Sequence, residues 1–582
     1  MFVSARGNAI ERTAARRSGL RRFDFGAVIV GMPVAVAVIT ILSLLAFVLW
    51  MSFARTEAGI ATGGYSLDNY ESLWLDPTFA RVTINTAIFM LGSVTIAAAF
   101  GLPLAWLGER TDLPGRTLIP VVLVLTLLIP GFFTAMGWLF FLHPRIGMGN
   151  QWLMSWFGLS EAPLPITTMG GMIWVEGISL APLFYIMSAG SFRAMDPSLE
   201  EAARASGASG FETMRRVVIP LLAPAILAAA IFTATTALGS FDIPAIIGLS
   251  SKILTFSTLI YVKVSAVESM PDYGTPAAFG TIVTALAVLV SIFYLKLLRR
   301  ARRYQVVTGK GYRPRIVKLG KYAIPAGAFV LSYFVLALVI PLALIVWSAL
   351  LPVYQEPSLR AFRSLSLASF RALPWDLLHR GIVNSILVSV GAPTIALIMS
   401  VAISWCVLRS KIRGRRHLDV IAFVPHAVPG IIFALGAVLG ALFLLPAWVP
   451  LYGSVTVLVV VYSIGWITFG TRVVNGSLIQ IHSDLEDASY ASGASRLDTL
   501  RLIVLPLLWP ALVGAWIYLA LLAFRELTRA IILVTNDNLT LPLVVWSLWN
   551  TGAMNLASAT ILVMLALFSP LVFLYFYFAK KP

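Results

Sequence analysis

Six side chains that carry charge or a hydroxyl interrupt runs that are otherwise apolar: Glu176, Ser240, Asp242, Arg525, Glu526 and Arg529. Carboxylates in such surroundings can hold a proton or a cation, and guanidinium groups can hold an anion. A charge removed from water is costly unless something pairs with it. These residues therefore read as a polar gate or a transient ligand contact, with an Asp242–Arg529 ion pair as the structural alternative. Covalent chemistry has no comparable footing, because no nucleophile stands beside a base in a recognisable pattern. No Gly-x-x-x-x-Gly-Lys-Ser/Thr loop is present to cradle phosphates, and Gly309-Lys310 stands alone. The histidines, His143, His379, His417, His426 and His482, show no i, i+4 pairing, and the single cysteine, Cys406, lies in an apolar run. Neither a metal site nor a disulfide is expected, and no cofactor for this chain. His426 reads as a buried, hydrogen-bonded residue in a helix kinked by Pro425 and Pro429.

The elements that must position these groups are membrane spans. Of 582 residues, 59% are hydrophobic and 12% charged, with a mean hydropathy of +0.88. A soluble domain carries about twice that charged fraction. Apolar runs long enough to span a bilayer lie at 26–53, 83–108, 117–142, 170–192, 217–247 and 276–298, and again at 322–350, 382–408, 418–445, 452–474, 504–534 and 557–579. The net charge of +17 sits in short stretches between those runs, without the aromatic interleaving of a nucleic-acid surface. The Arg-rich arm before residue 26, the basic linker Lys296–Lys321, the segment Arg409–Arg416 and Lys580-Lys581 all fall on one side by helix parity. By the positive-inside rule that side is cytoplasmic, with both termini there.

The two sets of six repeat. Asn85, Trp106, Arg110, Gly115, Pro130, Gly131 and Gly137 recur 299 positions later, at Asn384, Trp405, Arg409, Gly414, Pro429, Gly430 and Gly436. Glu200, Ala202, Gly207, Ser209, Thr213, Pro220 and Pro224 recur 286 positions later. The change of offset gives the first half 13 extra residues, most simply in the external loop near 143–169. An even number of spans per repeat makes the repeats parallel, related by an axis along the membrane normal. The expected fold is an all-α polytopic membrane protein of two parallel repeats of six transmembrane helices.

A polar segment on the cytoplasmic side is duplicated too. Asp196-Pro197 starts a helix, Gly207 breaks it, and Ser209 with Glu212 forms a capping box for a second short helix that runs on to Pro220. In the second copy Ser483 and Glu486 are expected to form a capping box, Gly493 the break, and Ser495 with Asp498 the restart. Each half thus presents a helix, a glycine elbow and a second helix, a shape that a partner can grip.

Glu201-Ala202-Ala203 with Gly207 and Pro220 resembles the EAA loop of ABC importer permeases of the binding-protein-dependent class. The resemblance spans nearly the whole chain and implies a type I permease fold. It divides the chain into a basic arm 1–25, a first domain 26–300 with a coupling loop at 196–216, a linker 301–321, and a second domain 322–582 with a coupling loop at 482–502. In the family such loops sit in a cleft of an ATPase subunit. Carried over, Glu200, Glu201, Ala202 and Gly207, with Glu486, Asp487, Ala488 and Gly493, would couple to the ATPase. Asp487-Ala488-Ser489 departs from the motif by an acid one methylene shorter. The resemblance further implies two copies of an ABC ATPase that uses ATP and magnesium, one periplasmic or lipid-anchored substrate-binding protein, and a place in the bacterial inner membrane. The fused design and the stretches Asp196–Ala203 and Gly239–Pro244 look like ferric-iron permeases. Fused thiamine permeases and unfused polyamine or phosphonate permeases are similar. An ion-coupled secondary transporter with duplicated repeats is the rival class, for which duplicated docking knobs have no use.

Overall fold

A computed structural model describes residues 25–57, 60–265, 271–303, 316–356, 358–410, 413–444, 446, 448–449 and 451–579. The N-terminal arginines, Gly309-Lys310 with most of the basic linker, Lys411, Lys580 and Lys581 lie outside the described residues. Ten helices there are long and apolar enough to cross a membrane, and three bent helix pairs pass the same test together. In a bilayer a helix satisfies every backbone donor and acceptor within the segment, which is why these apolar runs become helices.

The first half comprises α1 (Phe25–Phe53), α2 (Pro77–Arg110), α3 (Leu118–Leu128), α4 (Gly131–Leu142), an external helix α5 (Met148–Phe157), α6 (Met169–Ala194), the short α7 (Pro197–Ala205), α8 (Gly210–Leu238) and α9 (Gly274–Arg303). The second comprises α10 (Gly320–Leu350), α11 (Trp375–Arg409), α12 (Arg415–Ala427), α13 (Gly430–Leu444), α14 (Val455–Gln480), the short α15 (Ser483–Ala491), α16 (Arg496–Phe524), α17 (Leu541–Asn550) and α18 (Met554–Ala579). A small antiparallel hairpin, β1 (Ala54–Glu57) and β2 (Ile60–Tyr65), follows α1. Helix α5 lies within the loop expected to hold the extra residues of the first half.

Three expectations are corrected. The runs 117–142 and 418–445 are not continuous spans. Each is a broken pair, α3 with α4 bent by 93° and α12 with α13 by 98°. Pro130 and Pro429 force the residue before them out of the helical region, and Ile129 and Val428 are extended, with ψ of 134° and 130°. The fifth spans end at Leu238 and Phe524, short of the expected 247 and 534, because Gly239 and Arg525 close them. A third bent pair, Pro244–Ser251 with Phe256–Val264, has no counterpart among the expected runs.

The halves exchange their first helices. A side chain on Gly436 of α13 would collide with the backbone of Leu44 on α1, and one on Gly137 of α4 with Pro341 of α10. The glycines repeated at these positions thus let a backbone from the opposite half approach closely. The Tyr333 hydroxyl of α10 donates to the Ile178 carbonyl of α6 at 3.2 Å. Near the end of the linker, Val317 bridges in parallel to Thr111, its N–H donating to the Arg110 carbonyl at 2.7 Å. The Asp112 carboxylate accepts from Leu319 N–H at 2.8 Å, so the linker's end is tied to the end of α2.

Candidate functional site

The two polar loops fold alike. Asp196 caps α7 by accepting from Ser198 N–H at 2.9 Å. After α7, Gly207 adopts φ +88°, with Ala208 N–H on the Ala203 carbonyl at 3.0 Å and Gly207 N–H on Arg204 at 2.9 Å. After α15, Gly493 adopts φ +86°, with Ala494 N–H on Ser489 at 3.1 Å and Gly493 N–H on Tyr490 at 3.0 Å. Both elbows are Schellman closures, which need a left-handed residue at the position glycine holds. Ser209 with Glu212 and Ser495 with Asp498 form complete capping boxes at the start of α8 and α16.

The expected Ser483–Glu486 box does not form. His482 takes the cap position, its ring Nδ1 3.5 Å from Asp484 N–H, and Ser483 is already inside the helix. Glu486 is drawn elsewhere, to an ion pair with Arg409 at 2.7 Å. Its counterpart Glu200 pairs with Arg110, the last residue of α2. Both carboxylates are buried. Glu201, Ala202, Gly207, Asp487, Ala488 and Gly493 are exposed on the loop surface, as are Leu199 and Leu485. The four acids therefore divide into an inward pair and an outward pair. Arg110 also reaches the Met195 carbonyl at 3.3 Å, and Arg409 those of Leu478 and Ile481 at 3.0 and 2.7 Å. A guanidinium at the carboxyl end of a helix is favoured by the dipole as well as by its acid. Burial holds the Glu486 carboxyl above its ordinary range, with Arg409 offsetting only part of the rise. Sequence reasoning saw both arginines as repeat markers and gave them no role. Their recurrence at the 299-residue offset, just past the matching second apolar runs, was the available signal.

Within the membrane the six polar residues gather near the two helix breaks. Glu176, 4% exposed on α6, accepts from the Ser240 hydroxyl at 2.9 Å. Asp242 accepts from the Thr528 hydroxyl of the second half at 3.3 Å, and its carboxylate would lie 3.2 Å from a side chain placed on Gly131. Arg525 donates to the Ile129 carbonyl at 2.5 Å. Arg529 pairs with Glu526 at 2.6 Å and lies over the Trp466 ring at 4.6 Å. The Asp242–Arg529 pair is thus replaced by one within the second half. Nor is His426 hydrogen-bonded at Nε2. Its ring stacks on Phe232 of α8 at 3.8 Å, and that nitrogen is buried without a partner. Of these contacts, Asp242–Thr528 and Arg525–Ile129 join the two halves at their seam.

Residues 97–304 and 392–582 match the family described as binding-protein-dependent transport system inner membrane component, and the chain belongs to that family. It is the permease subunit of an ABC importer, with both permease domains in one polypeptide. The Fe(3+)-transport system permease protein FbpB 2 of Haemophilus influenzae is 24% identical over 526 residues, covering 90% of this chain and 93% of that protein. The ferric transport system permease protein FbpB of Actinobacillus pleuropneumoniae is 23% identical over 465 residues, 78% of this chain and 65% of that protein. The spermidine/putrescine transport system permease protein PotB of Escherichia coli is 27% identical over 241 residues, 40% of this chain and 85% of its own length.

Proposed function

We propose that this chain forms the translocation path of an ATP-driven importer for ferric iron. Two copies of a separate ATP-hydrolysing subunit drive it at the loops 196–216 and 482–502, and one substrate-binding protein delivers cargo on the opposite face. The observation that carries the reading is the pair of matched elbows, one per half, with Glu201 and Asp487 exposed on them. The likeness over nine-tenths of the chain to a permease named for Fe(3+) supports the substrate.

In this account ATP binding draws the two ATPase subunits together and carries the loops with them. The bundles rock about the seam, the contacts at Asp242, Arg525 and Thr528 part, and the path opens toward the binding protein. Hydrolysis returns the closed state. Each partner shifts the balance only by its different affinity for the two states. Glu176, Ser240, Asp242 and Glu526 offer oxygens to a passing cation, and Arg525 and Arg529 suit an anion that chelates it. Both termini lie with the loops on the cytoplasmic side.

A second reading, polyamine transport, is favoured by the likeness of one half to a spermidine/putrescine permease. The test is uptake into vesicles holding this permease, its ATPase and its binding protein. ATP-dependent accumulation of ferric iron over spermidine is the expected result. Spermidine accumulation without iron supports the second reading, and uptake of either that needs no ATPase sinks both.

A further inference from the structure

The two buried ion pairs are copies of one device. Arg110 and Arg409 close α2 and α11, the spans that lead from the outer face down to the loops. Glu200 and Glu486 stand next to the outward acids Glu201 and Asp487, on helices of nine residues each. Neighbouring residues on a helix point about 100° apart, so one turn places one acid outward and one inward. A partner that pushes the loop therefore meets Glu201 or Asp487, and the displacement leaves the loop through Glu200 or Glu486.

We infer that Arg110–Glu200 and Arg409–Glu486 are the links through which loop displacement reaches α2 and α11, with Arg110 and Arg409 as positioning residues for coupling. Each arginine also bonds backbone carbonyls at the end of the preceding span, Met195 in one half and Leu478 with Ile481 in the other. One guanidinium thus ties three segments together: the end of one span, the end of the next, and the loop helix. A buried pair of this kind is a poor source of net stability but resists being pulled apart, because separation strands a charge out of water. That property suits a rod that must carry load in both directions. The first link is the more enclosed, with the Arg110 side chain 1% exposed against 20% for Arg409. The linker bridge at Thr111–Val317 further braces it.

The inference rests on the reading of the loops as ATPase contacts, and its test separates the two. Spin labels go on Thr78→Cys and Asp376→Cys, exposed at the outer ends of α2 and α11, in a Cys406→Ser background. Distance distributions are recorded on the assembled complex with and without ATP–vanadate, which needs no knowledge of the cargo. Arg409→Gln should keep its ATPase subunits while the nucleotide-driven equilibrium between the two distances weakens about tenfold, the scale of a lost coupling contact. The charge swap R409E with E486R should restore the shift, which mere packing would not do. Arg110→Gln should act in the same direction, and Arg409→Gln decides the matter if the more buried variant fails to fold. A full-sized shift in Arg409→Gln, loss of the ATPase from that variant, or a folded swap without rescue would each overturn the link. A parent complex that retains no ATPase would instead overturn the reading of the loops.

Discussion

Arg525, at the end of α16 in the second half, donates to the carbonyl of Ile129, the residue at which the first half's third span breaks. Asp242 flanks the same break from the side of Gly131, where α4 begins. The carbonyl end of α3 thus meets a cation and the amino end of α4 a carboxylate, the signs that the helix dipoles favour. At the related place in the second half, Gly239 lies against Pro429, and the Arg529 guanidinium lies against Gly430, where α13 begins. Both breaks are therefore flanked by charge, and at the first one Arg525 bonds the carbonyl of the breaking residue itself. Removing this latch with Arg525→Gln should loosen the closed state and raise ATP hydrolysis in the absence of binding protein. A rate unchanged from the parent, with the complex intact, contradicts the latch.

The acids at the seam give a second expectation. Asp242→Ala and Glu526→Ala should impair uptake while the ATPase still co-purifies, since neither residue lies near the loops. Asp242→Ala leaves the Thr528 hydroxyl without its acceptor, and Glu526→Ala strands Arg529 against Trp466. Initial uptake rates at working substrate levels are the check, and normal rates in both variants remove the seam from the path.

The exchange of first helices is tested at its closest approach. Gly137→Ala would drive a methyl group into the backbone of Pro341. Overpacking of this kind costs about 1–3 kcal/mol. Thermal unfolding in detergent should show a lowered midpoint, whereas Gly190→Ala, with nothing within 4 Å of the added carbon, should show none.

Both elbows depend on a left-handed residue. Gly207→Ala or Gly493→Ala should strain the turn by about 1–2 kcal/mol. Space is not the issue, because the added carbon meets nothing within 4 Å at either position. Co-purification of the ATPase should fall in each single variant and further in the double variant. Full retention in the double variant would show that the angle of the elbow does not matter.

The repeat, most of the apolar runs and both elbows were legible in the sequence, because each leaves a local mark: apolar length, a constant offset, or a glycine after a short polar helix. Breaks at Pro130 and Pro429 were less visible. A proline in a spanning run bends or breaks it according to what surrounds the freed groups, Arg525 and Asp242 at the first break and Arg529 at the second, all from far along the chain. The inward role of Glu200 and Glu486 was hidden for a similar reason, since Arg110 lies 90 residues from its acid. His482 displaced Ser483 as the cap because Arg409 had claimed Glu486, the residue a capping box would have used. Local pattern sets the elements, while contacts between distant segments decide which polar groups face the partner and which face the core.

The most direct test concerns the two loops together. Residues 199–206 and 485–492 are replaced by Gly-Ser segments of equal length, and the variant is reconstituted with its ATPase and binding protein. The account predicts a folded permease that no longer holds the ATPase and accumulates no cargo when ATP is supplied. ATP-driven accumulation at the parent rate would contradict it.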